Sequence, residues 1–149
     1  MADNLTPEDR RKTMQAVKSK KTKLERTLFA MLAGMRLTGW RQNVTDITGK
    51  PDVVFSREKI AIFVDGCFWH GCPLCQRKMP QTNQQYWKTK ISRNIEIAKS
   101  HAIQLYSNGW KIIRIWEHDM NSKASRQKIN IKIRQALLQE NYNGESRIH

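Results

Sequence analysis

The apolar run Ile60-Ala61-Ile62-Phe63-Val64 passes, through Asp65, into Gly66-Cys67-Phe68-Trp69-His70-Gly71-Cys72-Pro73-Leu74-Cys75, a stretch that contains every cysteine of the chain. A run that is apolar at consecutive positions predicts a strand covered on both faces, so the fold must supply a layer on each side of it. The loop that leaves this strand is rich in Gly and Pro and makes poor core filler, so something other than apolar packing must hold it. Three cysteines cannot all pair within one chain, and a reducing compartment disfavours disulfides, which leaves metal ligation or simple burial as small hydrophobes. The clustering favours metal.

Around that strand the rest of the chain reads as helix, three strands, helix, strand, helix. Thr22-Lys23-Leu24-Glu25 has the spacing of a capping box, and Leu24, Leu28, Met31, Leu32 and Met35 recur at helical intervals up to Gly34 and Gly39. A first strand is expected over 40–46. Thr48-Gly49-Lys50-Pro51 is turn chemistry leading to Asp52-Val53-Val54-Phe55, which should form a hairpin with 60–64 across the polar connector 56–59. Beyond the cysteines, Trp87, Ile91, Ile95, Ala98, Ala102 and Leu105 form a helical stripe ending at Asn108-Gly109, followed by a strand over 110–116 and a helix over 122–140. This order predicts an α/β fold, a mixed sheet flanked by helices.

Length and charge narrow the partners. The 149 residues have room for one domain, with residues 1–21 as a basic arm that has little core to build and 142–149 as a polar tail. Lys and Arg number 27 against 13 Asp and Glu, a net charge of +14, which favours a polyanion and nucleic acid above all. Arg10, Arg11, Lys12, Lys18, Lys20 and Lys21 concentrate this charge in the arm, which reads either as a frayed end or as a segment ordered by DNA phosphates. No apolar run has the length of a membrane helix, and the first residues lack the order of a signal peptide, so the expected setting is inside the cell, away from membranes.

Cys67, Cys72 and Cys75 provide three thiolates, and a closed structural zinc site takes a fourth nitrogen or sulfur ligand. His118, just beyond the last strand, is the expected fourth ligand, with His70 as the rival. Such a zinc would be structural and needed for folding. Asp52, at the entrance of a buried strand, is a costly place for a carboxylate unless it is paired or holds a cation.

Taken together, Thr48-Gly49-Lys50-Pro51-Asp52, Phe63-Val64-Asp65-Gly66-Cys67-Phe68-Trp69-His70-Gly71-Cys72, Tyr86-Trp87 through Lys90, Arg93 and Asn94, Gly109-Trp110 and Ile115-Trp116-Glu117 closely resemble the very short patch repair endonucleases. The resemblance covers about residues 10–120. It implies a restriction-endonuclease-like α/β fold and an enzyme that nicks one strand of duplex DNA beside the T of a T·G mismatch, the product of 5-methylcytosine deamination. It implies that Asp52 and the main-chain carbonyl of Val64 bind a catalytic magnesium, that His70 is the general base, and that Glu25 joins through water. A capping role for Glu25 stands beside that one. It further implies that Phe68, Trp69 and Trp87 wedge into the base stack from the major groove while Met14 enters from the minor groove. Lys90 and Asn94 lie one turn apart, placed for base edges or the mismatch, with Arg93 at phosphates. Trp87 also fits the core stripe of its helix. Asp65 and Val64 stand where some relatives have histidine and threonine, which leaves any auxiliary proton transfer open.

Double-stranded DNA carrying a mismatch is the expected partner, with other repair proteins as further candidates and a monomer as the working state. Two alternatives remain at this point. One is a zinc-stabilised DNA-binding module without catalysis, which would have no use for Asp52 and His70. The other is a nuclease of the same fold acting on another DNA structure.

Overall fold

A computed structural model describes residues 6–67, 72 and 83–148; the side chains of residues 10, 13, 14, 16–20 and 140–148 lie outside that description. The elements are α1 (Pro7–Gly34), β1 (Trp40–Gln42), β2 (Val53–Phe55), β3 (Ile60–Asp65), α2 (Gln84–Ser107), β4 (Lys111–Trp116), a 3-10 turn at Glu117–Met120, and α3 (Lys123–Ile148). The sheet order is β1-β2-β3-β4, antiparallel between β1 and β2 and between β2 and β3, and parallel between β3 and β4. The expected element order and the β2–β3 hairpin are both observed, and α2 makes the crossover that a parallel pair needs.

Alternation along the strands divides the core. Ile60, Ile62 and Val64 on β3, with Ile113 and Ile115 on β4, pack against Leu28 and Leu32 of α1 and Ile129 and Ile133 of α3. Ala61 and Phe63 point the other way and meet Leu105 of α2. All six residues of β3 are buried, as a strand roofed on both faces must be. Arg134 of α3 donates to the Met35 carbonyl at 3.3 Å, so the end of α1 is tied to α3 by a side chain as well as by packing.

Three boundaries differ from the sequence expectation. Residues 7–21, expected as a basic arm, form the first half of α1. Thr6 is the cap, its hydroxyl accepting from Asp9 N at 3.1 Å, Pro7 occupies the first turn, and Glu8 and Asp9 face the positive end of the helix dipole. Glu8 also pairs with Lys12 one turn on, at 3.6 Å. Thr22 therefore lies in mid-helix and not at a helix start, so the capping-box reading of Thr22 and Glu25 falls. The polar tail likewise continues α3, to Ile148. β1 is shorter than expected because Asn43 takes a φ of +53°, which ends the extended conformation.

Leu28 is wholly buried between α1 and the sheet. Leu28→Ala should lower unfolding free energy by about 2–5 kcal/mol in a urea titration. Ile103→Ala, at a side chain 66% exposed on α2, should stay within about 0.5 kcal/mol of the parent.

Candidate active site and adjoining metal cluster

The site forms where β2 stops short of β3. The last register pair of these strands on this side is Val53 with Ile62, and Asp52 N continues the ladder to the Ile62 carbonyl at 3.0 Å. Val64, two residues further along β3, has no β2 backbone opposite it. The Asp52 carboxylate fills that place, accepting from Val64 N at 2.8 Å through Oδ2. The same oxygen accepts from Lys21 Nζ at 3.0 Å, and Lys21 Nζ also donates to the Val64 carbonyl oxygen. A buried carboxylate, 7% exposed, thus has its compensating cation delivered by α1.

Glu25 lies one turn beyond Lys21 on α1. Burial, the negative charge of Asp52 and a hydrogen bond with the Asp52 side chain hold its carboxyl above the ordinary carboxylate range, while Lys21 opposes the shift. The two acids and one lysine form a compact group drawn from α1, β2 and β3.

A cavity of about 330 Å³ opens from this group toward α2, lined also by Lys50, Asp65, Asn94, His101 and Arg114. Asp65, 3% exposed, is ion-paired to Arg114, whose guanidinium sits 5.2 Å from the Phe63 ring centre. Burial lowers the Arg114 pKa and the charge of Asp52 counters it. His101 of α2 faces this cavity. It can do so because Gly49 crosses beneath it: a Cβ there would approach His101 and Phe63 to 3.3 Å, and Gly49 has a φ of +81°.

The cysteine cluster follows from strand register. Asp65 pairs with Trp116 in the parallel β3–β4 ladder, so Cys67 and His118, each two residues on, emerge side by side. His118 Nδ1 is 3.3 Å from Cys67 Sγ and 3.6 Å from Cys72 Sγ, and the three ligand atoms lie within 4.8 Å of one another. In a tetrahedral zinc site, bond lengths near 2.0–2.3 Å put ligand edges at about 3.5–3.8 Å. This cluster could hold a metal. His118 Nε2 meets Asp119 Oδ1 at 3.2 Å, and Asp119 Oδ2 is fixed by Trp116 N at 3.0 Å, an outer carboxylate that leaves Nδ1 turned to the cysteines. Cys67 N donates to Glu117 Oε1 at 3.3 Å and Cys72 N to the Cys67 carbonyl at 2.9 Å.

Of the remaining expected site residues, Cys75, Phe68, Trp69 and His70 lie outside the described residues, as does the Met14 side chain. Trp87 is 7% exposed and stacks edge-on against Tyr86 at 4.8 Å, so it belongs to the packed stripe of α2. Lys90 is half-buried and lies 5.9 Å from the Tyr86 ring centre. Asn94 is half-buried on the cavity side, while Arg93 is exposed and lines a shallow polar groove with Lys88 and Ser92. Lys90 and Asn94 therefore do not share a fully solvated face with Arg93. Sequence reasoning missed the roles of Lys21, Arg114, His101 and Asp119. The signals were slight: Lys21 stands four residues before Glu25, Arg114 breaks an apolar strand, and acids flank His118 on both sides.

Residues 2–77 match the family described as DNA mismatch endonuclease Vsr. The chain belongs to the Vsr family. It is 40% identical over 135 residues to the type II nicking enzyme V.NmeDIP of Neisseria meningitidis serogroup C, covering 89% of this chain and 90% of that one. It is 41% identical over 137 residues to the type II nicking enzyme V.HpaIIP of Haemophilus parainfluenzae, covering 91% and 95%. To the DNA mismatch endonuclease Vsr of Escherichia coli K12 it is 32% identical over 117 residues, covering 78% and 74%. A DNA-nicking endonuclease is the activity these Vsr relatives support, and among the described residues no helix is long and apolar enough to cross a membrane.

The raised Glu25 pKa carries a pH signature. Below its ordinary value of 4.5 the group is protonated in both folded and unfolded chains. As pH rises through the higher folded value, charge accumulates against Asp52 and stability is lost. In metal-free buffer Glu25→Gln should therefore raise the melting temperature at neutral pH, by up to about 3 °C once solvent screening is allowed for. The gain should vanish below pH 4.5 in a pH series of thermal melts.

Proposed function

We propose that this chain is a restriction-endonuclease-like single domain that nicks one strand of duplex DNA beside the T of a T·G mismatch, beginning very short patch repair of deaminated 5-methylcytosine inside the cell. The observation that carries this reading is the Asp52–Val64 corner: a buried carboxylate and a strand carbonyl converge where β2 ends, and a cationic group already sits on both. An all-oxygen corner with one carboxylate and a second acid nearby suits magnesium, which binds through one or two carboxylates and retains waters. Magnesium bound there by Asp52 and the Val64 carbonyl would neutralise charge on the scissile phosphate and favour departure of its leaving oxygen.

The chain's own residues supply the rest. Val64 N fixes Asp52 Oδ2, which keeps the carboxylate aimed along β3. Glu25, pressed against Asp52, orients water at the corner. His70 takes the proton of the attacking water, a task suited to a neutral imidazole near pH 7. Phe68 and Trp69 wedge a stack that a T·G pair makes easier to distort, with Met14 on the opposite groove. Lys90 and Asn94 face the mismatch, and Arg93 meets phosphate. Cys67, Cys72, Cys75 and His118 hold a structural zinc; the thiolate-imidazole donor set and the observed spacing support zinc over a hard cation. The enzyme acts as a monomer and passes its nicked product to other repair proteins.

The test incubates the protein with magnesium and end-labelled matched and T·G-mismatched duplexes and maps nicks on each strand. Nicking should be confined to the T strand of the mismatch. Asp52→Ala should abolish it, and His70→Ala should slow it by roughly 10²–10⁴-fold; full activity in either variant would sink the assignment. Metal analysis should find equimolar zinc, and His118→Ala should reduce both the zinc content and the melting temperature.

A further inference from the structure

Lys21 has a place in this site that neither the nuclease chemistry nor the metal cluster accounts for. Its ammonium bridges Asp52 Oδ2, at 3.0 Å, and the Val64 carbonyl oxygen, and so sits on the carboxylate and the carbonyl that the proposed function gives to the catalytic metal. An ammonium carries one charge and makes contacts near 3 Å, whereas magnesium requires oxygens at about 2.0–2.1 Å in octahedral order. Two cations crowded into that corner would compete for the Asp52 carboxylate and the Val64 carbonyl and would repel each other across a buried site.

We infer that Lys21 is the resident counter-cation of the DNA-free site, and that metal enters Asp52 and Val64 only as the Lys21 ammonium withdraws. The geometry also indicates what withdraws it. The Lys21 side chain is 35% exposed at the mouth of the cavity, and it ends the basic stretch of α1 that includes Arg10, Arg11, Lys12, Lys18 and Lys20. A duplex lying against that stretch brings phosphates, which compete for an ammonium directly. Lys21 would then exchange Asp52 for a phosphate oxygen and vacate the metal position, so DNA binding and metal binding favour each other. In free protein the buried carboxylate is kept neutralised and the corner is kept from stray divalent ions.

This inference rests on the metal reading of Asp52 and Val64, and one experiment separates the two. Mn²⁺ is titrated calorimetrically into DNA-free, full-length wild type, Lys21→Met, Lys21→Gln, Lys23→Met and Asp52→Asn, with circular dichroism confirming folding. If the ammonium holds the position in about nine molecules of ten, both Lys21 variants bind Mn²⁺ about tenfold more tightly than wild type. Lys23→Met, an exposed charge loss on the same helix, should leave the affinity at the wild-type level, and Asp52→Asn should remove binding. A merely structural lysine would give the opposite sign, with weaker metal binding in a loosened site. Asp52-dependent binding that is equal or weaker in both Lys21 variants overturns this inference and leaves the metal reading standing. Absence of Asp52-dependent binding in wild type and variants alike overturns both.

Discussion

One unpaired strand position organises the functional end of the molecule. Because β2 begins at Val53, the Val64 amide and carbonyl on β3 face a gap where ladder partners would otherwise be. A buried amide and carbonyl must be satisfied, and Asp52 and Lys21 do it together. The carboxylate is thereby brought into a low-dielectric corner, where it requires a cation and is held in one orientation. The same end of the sheet carries the Asp65–Arg114 pair and, two residues beyond, the Cys67–His118 cluster. The candidate active site and the Cys67–His118 cluster are neighbours because β3 and β4 run parallel and end together.

Parallel pairing also explains a remote ligand. Cys67 and His118 are far apart in sequence, yet equal offsets from the register pair Asp65–Trp116 make them adjacent. A one-residue slip would turn His118 toward the opposite side and break the cluster. The consecutive apolar residues 60–64 of β3 guard against such a slip less than an alternating strand would. The ordered pair Asp65–Arg114 adds a polar contact at the same end.

Much of the architecture was legible from periodicity. The buried β3, the hairpin with β2, the stripe of α2 and the element order all follow from apolar spacing and turn residues. Helix ends were not, for identifiable reasons. Thr22-x-x-Glu25 imitates a cap, whereas the real cap at Thr6 is followed by a basic segment without apolar periodicity in its sequence. That segment is helical because Lys, Arg, Gln and Ala favour helix and because the cap and the packed second half supply nucleation. Within the site, Asp52 and His118 were legible because a carboxylate at a buried strand entrance and a histidine near a cysteine cluster are chemically unusual. Lys21, Arg114 and His101 were not, since a lysine in a basic run or a histidine in a helix acquires meaning only through what packs opposite it.

The unbroken course of α1 has a geometric consequence. From Pro7 to Lys21 the helix advances about 21 Å at 1.5 Å per residue, a length matching about six base-pair steps of duplex. Its far half is anchored by Leu28 and Leu32 in the core, so the basic half is a stiff rod fixed at one end and not a tether that drapes freely. A rod of that kind has a set reach and a set bearing from Asp52. Where it lies along a duplex, it fixes how far from the cut the protein can take hold.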